Sequence, residues 1–249
     1  MPMPRDAAPP AFPRGLLGEA ALALWGGIDP AREAEFNDWY THEHLPERIA
    51  IPGFLRARRY VESLTDPLLA GWRYFTLYEV ENAGVLHSPA YLSALDHPTP
   101  RTLASLPLFR AMSRMGCAVT HSIARGMGGD LFVAELGPRA GEAERLRAWL
   151  ATTVSSRVME MSGALAAHLC ENDAAATRAG VDVASYREVK TGTGRWLWLV
   201  EGAWTDPAQA MADCIRAIAE ASAQGAEERV SLGMFRFLGS LTPGQLGAA

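Results

Sequence analysis

Cysteine is scarce in this sequence, and the few cysteines lie far apart. Cys117, Cys170 and Cys214 are odd in number and form no CxxC pair. The set predicts neither a disulfide framework nor a zinc knuckle, so we interpret these residues as small buried apolar side chains in a reducing compartment. Long apolar runs are also missing. None approaches the roughly 20 residues of a membrane span, and the start lacks the pattern of a signal peptide. These absences predict a cytoplasmic protein without a membrane partner.

Basic charge is scarce as well. The 23 Lys and Arg residues face 28 Asp and Glu residues, which gives a net charge of −5. Nucleic acids are usually recognised by clustered Lys and Arg, so we predict no nucleic-acid partner. With 249 residues, 49% of them hydrophobic, the chain can bury a substantial core. Residues 1–15 are rich in proline, which predicts a disordered arm.

The same order of predicted elements occurs twice along the chain. Residues 16–126 show a strand, a helix, two strands, a helical segment and a strand, and residues 127–249 repeat that order after a glycine-rich linker. A βαββαβ unit forms a four-stranded antiparallel sheet with both helices on one face. Two such sheets can cover each other. We therefore predict an α+β fold of two tandem ferredoxin-like units that close an α/β barrel, with the helices outside.

The strand sequences predict which side chains point into that barrel. Because strand residues alternate between faces, we expect the plainer apolar residues to face the helices. The opposite set is aromatic and polar, and it comprises Arg56, Arg58, Tyr60, Trp72, Tyr74, Thr76, Tyr78, His121, His168, Cys170, Trp196, Trp198 and Trp204. Such a lining is typical of a cavity for a small hydrophobic organic ligand. The alternatives are a filled core or the interface of a homo-oligomer.

One short stretch, EFNDWYTHEHLPERIAIPGF at residues 35–54, is dense in ionisable residues. Pro46 lacks an N–H and predicts that the helix ends or kinks there, which places His42, Glu43 and His44 in its last turn. The negative end of the helix dipole then favours protonated His44 and suits it to proton transfer near neutral pH. The alternative is a hydrogen-bonded helix stop that serves folding alone.

The neighbours of His44 predict the other roles. Glu43 would orient the imidazole, and Arg48 would hold an oxyanion or a carboxylate. Trp39 and His42 would line the site together with the barrel-facing residues named above. The two-residue spacing of His42 and His44 points them in different directions on a helix, so we predict no metal site.

The stretch EFNDWYTHEHLPERIAIPGFLRARRY resembles the helix-to-strand segment of EthD-like proteins of the dimeric α/β-barrel superfamily. The match falls on Trp39, His44, Pro46, Pro52, Gly53 and Tyr60. It implies a ferredoxin-like fold and a pocket for a small organic molecule. Relatives oxidise, cyclise, isomerise or only bind such compounds, often without a cofactor. The second half has no His-x-Pro sequence, so the resemblance implies one site per chain.

This resemblance leads to three predictions of function. The first is a cofactor-independent monooxygenase, cyclase or isomerase that acts on a hydrophobic carbonyl or phenolic compound, with His44 as acid or base. The second is a heme protein, because the chain also resembles the chlorite-dismutase-like group, in which a histidine of the second half binds iron. His168 is the only histidine there, and we predict it on a strand. The third is a non-catalytic binding or assembly protein.

Overall fold

Eight long strands form a closed antiparallel barrel in the computed structural model, which describes residues 14–179, 190–191 and 195–247. The strands are β1 (Ala20–Ile28), β2 (Phe54–Glu62), β3 (Tyr74–Val80), β4 (Phe109–Ala124), β5 (Asp130–Leu136), β6 (Ala164–Asn172), β8 (Trp196–Gly202) and β9 (Ser231–Leu241), and the two-residue strand β7 (Lys190–Thr191) adds to the side of β4. Their order is β1-β3-β2-β9-β5-β8-β6-β4, and pairing of β1 with β4 closes the barrel.

The barrel consists of two four-stranded sheets with the same internal order. The first is β4-β1-β3-β2 and the second is β9-β5-β8-β6. Each is the order of a βαββαβ unit, and the pairs β2–β9 and β4–β6 join the two sheets. The predicted fold is therefore confirmed. The unit boundary at residues 126 and 127 stays a prediction. Residues 1–13 of the predicted arm lie outside the described residues.

The helices cover the outside of the barrel. They are α1 (Glu33–Trp39), α2 (Leu45–Ile49), α3 (Pro89–Asp96), α4 (Pro100–Ser105), α5 (Ala143–Trp149), α6 (Ser155–Met159), α7 (Ala174–Arg178) and α8 (Pro207–Ala217). Side-chain caps start several of them. Asp29 accepts from the Ala31 N–H before α1, and Asp206 accepts from the Gln209 N–H at α8.

The first helix does not end at Pro46, which was one of the two predicted outcomes, an end or a kink. A π-helical turn, Tyr40–His44, joins α1 to α2, and Leu45 keeps helical angles of φ −62° and ψ −50°. Pro46 then occupies the first turn of α2, where its missing N–H costs little. The second half has the same arrangement, with a π turn at Leu150–Val154, although Ser156 stands at the position of Pro46. The π turn therefore belongs to the fold and does not depend on the proline.

Apolar side chains pack into three layers. The barrel core lies between the two sheets and contains Trp25, Tyr60, Phe75, Leu77, Met115, Cys117, Leu131, Val133, Cys170, Leu197, Leu199 and Phe235. The first helix–sheet layer lies between the first sheet and α1 to α3, around Phe36, Trp39, Tyr40, Tyr74 and Tyr78. The second helix–sheet layer lies between the second sheet and α5, α6 and α8, around Leu146, Val154, Val158, Trp196 and Trp198.

The predicted strand faces are right for β2 and β6 and wrong for β3 and β8. Phe75 and Leu77 lie in the barrel core, whereas Tyr74 and Tyr78 face the helices. Every residue of β3 and β8 is buried, so alternation along these strands does not distinguish the two faces. Trp196 and Trp198 therefore also face helices, and Trp204 packs against the same layer. A bulge between Val119 and His121 changes the phase of β4, so Ser122 rather than His121 lies opposite His168.

The three cysteines are free and buried. No helix within the described ranges is long and apolar enough to cross a membrane. Among those residues, no group of three or more His, Cys, Asp or Glu side chains is arranged to hold a metal ion.

Candidate functional site

The barrel core is packed with side chains. The aromatic residues there contact each other and do not line the interior cavity that the sequence predicts. Tyr60 is fully buried against Phe75 and Phe237, and Trp72 packs edge-on to Trp25 at 6.0 Å. The notable spaces lie elsewhere: a small cavity in the first helix–sheet layer, a groove beside α1, and a pocket at one end of the barrel.

The cavity in the first helix–sheet layer has a volume of about 30 Å³. Six elements contribute to its wall, which comprises Leu22 and Leu24 on β1, His44 on the π turn, Arg48 on α2, Tyr78 on β3, Tyr91 and Leu95 on α3, and Arg114 on β4. The cavity therefore combines two guanidinium groups, an imidazole and two phenols with an aliphatic wall.

His44 is buried beneath aromatic rings. Its imidazole lies 4.7 Å from the Trp39 ring and 4.8 Å from the Tyr40 ring, and Nδ1 has no hydrogen-bond partner among the described residues. Burial lowers the pKa of His44 well below its usual value, and the charges of Arg48 and Arg59 lower it further. The imidazole is therefore neutral at pH 7. Our prediction that a helix dipole favours the protonated form is wrong, because the helix continues past His44.

Two arginines of the cavity are buried with no carboxylate of the described residues at ion-pair distance. Arg48 is 3% exposed; its Nη2 donates to the Ala94 carbonyl at 3.3 Å, and its Nε and Nη1 have no partner. Arg114 is 5% exposed and donates to the Thr177 carbonyl at 2.7 Å and to the Tyr91 hydroxyl at 3.0 Å. Within the described ranges, no carboxylate forms an ion pair with either residue, although most other arginines have one.

The structure does not bring Glu43 and His42 to the cavity. The Glu43 carboxylate accepts a hydrogen bond from the Thr99 hydroxyl at the start of α4 and lies 3.7 Å from Arg101. His42 is exposed, and its Nδ1 lies 3.0 Å from an Asp38 carboxylate oxygen. The predicted role of Glu43 as the residue that orients His44 is therefore not supported by a contact between the two described side chains.

Tyr74 and Arg59 lie in the same layer, away from the cavity. The Tyr74 hydroxyl donates to Glu33 at 2.6 Å, and the Arg59 guanidinium lies 4.3 Å from the Tyr40 ring centre and 4.7 Å from that of Tyr74. Arg59 also borders the groove beside α1, which has a volume of about 320 Å³ and is lined by Asn37, Thr41, Leu45, Arg59, Leu238, Gly239, Ser240 and Leu241.

The end of the barrel carries a buried ionic network that joins the two halves. Arg58 lies 2.9 Å from Glu79 and donates to Glu201, and Arg56 makes two hydrogen bonds to Glu79 at 2.8 and 2.9 Å. Burial by itself would raise the pKa of Glu201, but the charge of Arg58 and the hydrogen bond from His168 outweigh it and lower the pKa to about 2. An adjoining pocket of about 230 Å³ is lined in part by these groups.

Ser122, His168 and Glu201 form a hydrogen-bonded chain in that network. His168 Nδ1 lies 2.9 Å from the Ser122 hydroxyl, and Nε2 lies 3.0 Å from Glu201. The hydroxyl oxygen already accepts from the N–H groups of Gly15 and Leu16, so the hydroxyl donates its hydrogen bond to His168 Nδ1. Both lone pairs of the oxygen are then in use. The chain holds residues 15 and 16 across the barrel end and does not present a nucleophile.

Sequence reasoning missed several residues of both places. Arg114 stands in a mostly apolar strand, and Tyr91 lies in a helix predicted only as covering. Glu79 and Glu201 each occupy the sixth position of a seven-residue buried strand. A charged residue inside a strand buried on both faces was the available signal, since such charges are rarely buried without a partner.

No protein-family model and no curated protein matches this sequence. Solved structures do match its fold. An anthrone oxidase-like protein superposes with a TM-score of 0.58 and 13% identity, over 92% of this chain and 95% of that one. A protein from Fusobacterium nucleatum, provisionally named a monooxygenase, gives 0.53 and 9% identity over 91% and 96%. A protein provisionally named a chlorite dismutase gives 0.52 and 11% over 90% and 96%. The chain therefore has the same closed α/β-barrel fold as these neighbours.

Proposed function

We propose that this chain is an EthD-like, cofactor-independent enzyme that binds a small hydrophobic carbonyl or phenolic compound, with His44 as the proton acceptor. The observation that carries the proposal is the state of His44: buried, neutral and with a free Nδ1, at a cavity that also contains Arg48. A neutral imidazole can accept a proton, and burial removes competing water.

The proposed step is a proton transfer. His44 takes the proton from a C–H next to a carbonyl, or from a phenolic O–H, and the electron pair of that bond stays on the substrate as an enolate or phenolate. Arg48 then stabilises the negative oxygen. A positioned general base of this kind typically contributes about 10²–10⁴-fold to the rate. His44 returns the proton to the product or to water.

The type of reaction that follows is also part of the proposal. Monooxygenation, cyclisation and isomerisation of carbonyl compounds can all start from such an anion. Two structural neighbours carry names that refer to oxidation, an anthrone oxidase-like protein and a monooxygenase, and we therefore place an oxygen-dependent reaction first. In that reaction dioxygen is the oxidant.

The size of the cavity limits how a substrate enters. About 30 Å³ has room for one small group and not for an aromatic ring. A ring-sized substrate therefore requires movement of the wall, and α3 is the element that contributes Tyr91 and Leu95 to it. We expect one small oxygen-containing group of the substrate to enter first.

The test measures proton abstraction directly. Carbonyl compounds with acidic C–H groups, such as anthrone and 1,3-diketones, are incubated with the protein in D₂O without oxygen, and loss of the C–H signal is followed by NMR. We expect accelerated exchange with the wild type and a loss of at least about 100-fold in His44→Gln. His97→Gln changes an exposed histidine and serves as the control. Equal exchange in wild type and His44→Gln contradicts the proposed role.

The residues do not fit heme, which is the alternative cofactor. Both ring nitrogens of His168 lie within hydrogen-bond distance of protein groups, Ser122 and Glu201, and the side chain is fully buried. His44 borders a space far smaller than a porphyrin. A Soret band that appears with hemin and disappears in His168→Gln would contradict this assignment.

A non-catalytic binding protein is the remaining alternative. Binding of the same compounds with no proton exchange and no turnover favours it. Binding is detected as a rise in the unfolding temperature, since a ligand stabilises the folded protein. The predicted cytoplasmic location and possible homo-oligomer stay predictions.

A further inference from the structure

We propose that the cavity between His44, Arg48 and Arg114 binds the carboxylate group of an apolar organic acid. The inference rests on the proposed function in that it names the chemical class of the molecule that the same site takes. It adds that the molecule arrives with a negative charge, whereas proton abstraction alone requires only a neutral compound.

The guanidinium of Arg48 is only partly hydrogen-bonded. Two of its three nitrogens have no hydrogen-bond partner within the described part of the chain, although the residue is only 3% exposed. Burying an ion without compensation costs several kcal/mol, so native proteins pair buried charges or coordinate them. The neighbouring Glu47 carboxylate interacts with Arg48 through space, but no carboxylate of the described residues lies within ion-pair distance of the guanidinium.

Arg114 is a second buried arginine in the cavity wall, and it also has no carboxylate of the described residues at ion-pair distance. Its guanidinium donates to carbonyl and phenol oxygens, which satisfy hydrogen bonds but leave the positive charge unbalanced by any described carboxylate. Two positive charges thus face one cavity that also contains neutral His44. An anion placed between them gains attraction from both.

The fold itself does not require these charges. The segments 33–49 and 143–159 have the same helix, π turn and helix, so Val158 stands 110 residues after Arg48 at the equivalent position. Strand pairing makes Leu232 the equivalent of Arg114, because Leu24 pairs with Arg114 and Ala134 with Leu232. The second layer packs well with aliphatic residues there. The arginines of the first layer therefore serve something other than packing.

The size and wall of the cavity select the class of anion. A volume of about 30 Å³ holds roughly two water molecules, which is close to the space of one carboxylate group. The guanidinium group binds planar carboxylates particularly well. Apart from His44 and the phenols of Tyr78 and Tyr91, the rest of the wall is aliphatic, so the carbon chain attached to the carboxylate should be apolar.

The experiment uses the full chain and simple probes. Sodium formate, acetate, butyrate and phenylacetate are compared with sodium chloride and phosphate at equal ionic strength, and with neutral acetamide and methyl acetate. Thermal unfolding and titration calorimetry are the readouts. We expect the carboxylates to stabilise the protein and the neutral compounds and chloride to have no effect.

Variants connect binding to the site. Arg48→Met removes the charge at similar length; we expect the Kd for carboxylates to rise at least about tenfold and the ligand-free protein to unfold at a higher temperature than the wild type. Arg48→Lys keeps the charge without the planar group and should bind more weakly than the wild type. Arg110→Met alters an exposed ion pair and is the control. Unchanged affinity in both Arg48 variants overturns the proposal.

The outcomes separate this inference from the proposed function. Equal stabilisation by chloride or phosphate shows a site for inorganic anions and overturns the carboxylate class, as does an absence of any carboxylate effect. Carboxylates that bind through Arg48 with no proton exchange at any substrate support the inference and contradict the catalytic role. Exchange that depends on His44 but not on Arg48, with neutral substrates only, supports catalysis and overturns the inference.

Discussion

The two helix–sheet layers have the same backbone and opposite chemistry. In the first layer, His44, Arg48, Arg59 and Arg114 lie between helices and sheet; at the equivalent positions the second layer has Val154, Val158, Leu169 and Leu232. Both layers contain the same π turn. The comparison therefore shows that the π turn is a feature of the fold, whereas the buried imidazole and guanidinium groups are specific to one half.

At the barrel end the two halves have similar chemistry, unlike the two helix–sheet layers. Glu79 and Glu201 occupy the same position of β3 and β8, and Arg58 and His168 occupy the same position of β2 and β6. There the two halves place similar polar groups together, and each carboxylate has a cation or histidine partner. The buried charges of the barrel end are paired in both halves, while Arg48 and Arg114 of the first layer have no carboxylate of the described residues within ion-pair distance.

The largest expected effect comes from making the second layer resemble the first. Val158→Arg places a guanidinium in a packed aliphatic layer without a described partner, and we expect the free energy of unfolding to fall by about 3–5 kcal/mol. Urea unfolding measures it. The matched variant Arg48→Met in the first layer should increase stability. Destabilisation of similar size by both variants would mean that Arg48 has a structural role.

A somewhat smaller effect is expected at the barrel end. Glu201→Gln leaves His168 without its carboxylate and Arg58 with Glu79 alone, and it should cost on the order of 3 kcal/mol at pH 7. The pKa of Glu201 is lowered from 4.5 to about 2, so its contribution is present above pH 4.5 and is lost as the pH falls towards 2. Unfolding at pH 7 and at pH 3 should therefore differ less in the variant. An equal pH dependence in both proteins would contradict the assignment.

The sequence predicts the fold better than the site, and particular residues explain why. The order of strands and helices follows from hydrophobic periodicity and caps such as Asp29, which act locally. The cavity depends on which face of a strand is buried, and β3 is buried on both, so Tyr74 and Tyr78 were assigned to the barrel core. Glu43 and His44 are adjacent in the sequence, which predicts that the carboxylate orients the imidazole. The continuing helix instead directs the Glu43 carboxylate to Thr99. Arg114 reaches the cavity only through strand pairing.

The smallest expected effect is the pH dependence that His44 gives to the first layer. Its pKa is lowered by burial and by Arg48 and Arg59, so the unfolded chain takes up this proton near pH 6.5 while the folded protein does so only at lower pH. The contribution is therefore present above pH 6.5 and is lost as the pH falls towards the lowered value, with a slope of at most about 1.4 kcal/mol per pH unit.

We expect His44→Gln to flatten this slope in urea unfolding measured between pH 7 and pH 5. His97→Gln changes an exposed histidine and should leave the slope unchanged. Val154 stands at the equivalent position of the second layer and does not titrate, so Val154→Ala should lower stability by the same amount at every pH. His121 is also partly buried with a lowered pKa, and it remains in all three variants, so its contribution cancels from the comparison. A slope that His44→Gln leaves intact would show that His44 titrates in the folded protein as it does in the unfolded chain, which contradicts the lowered pKa of His44.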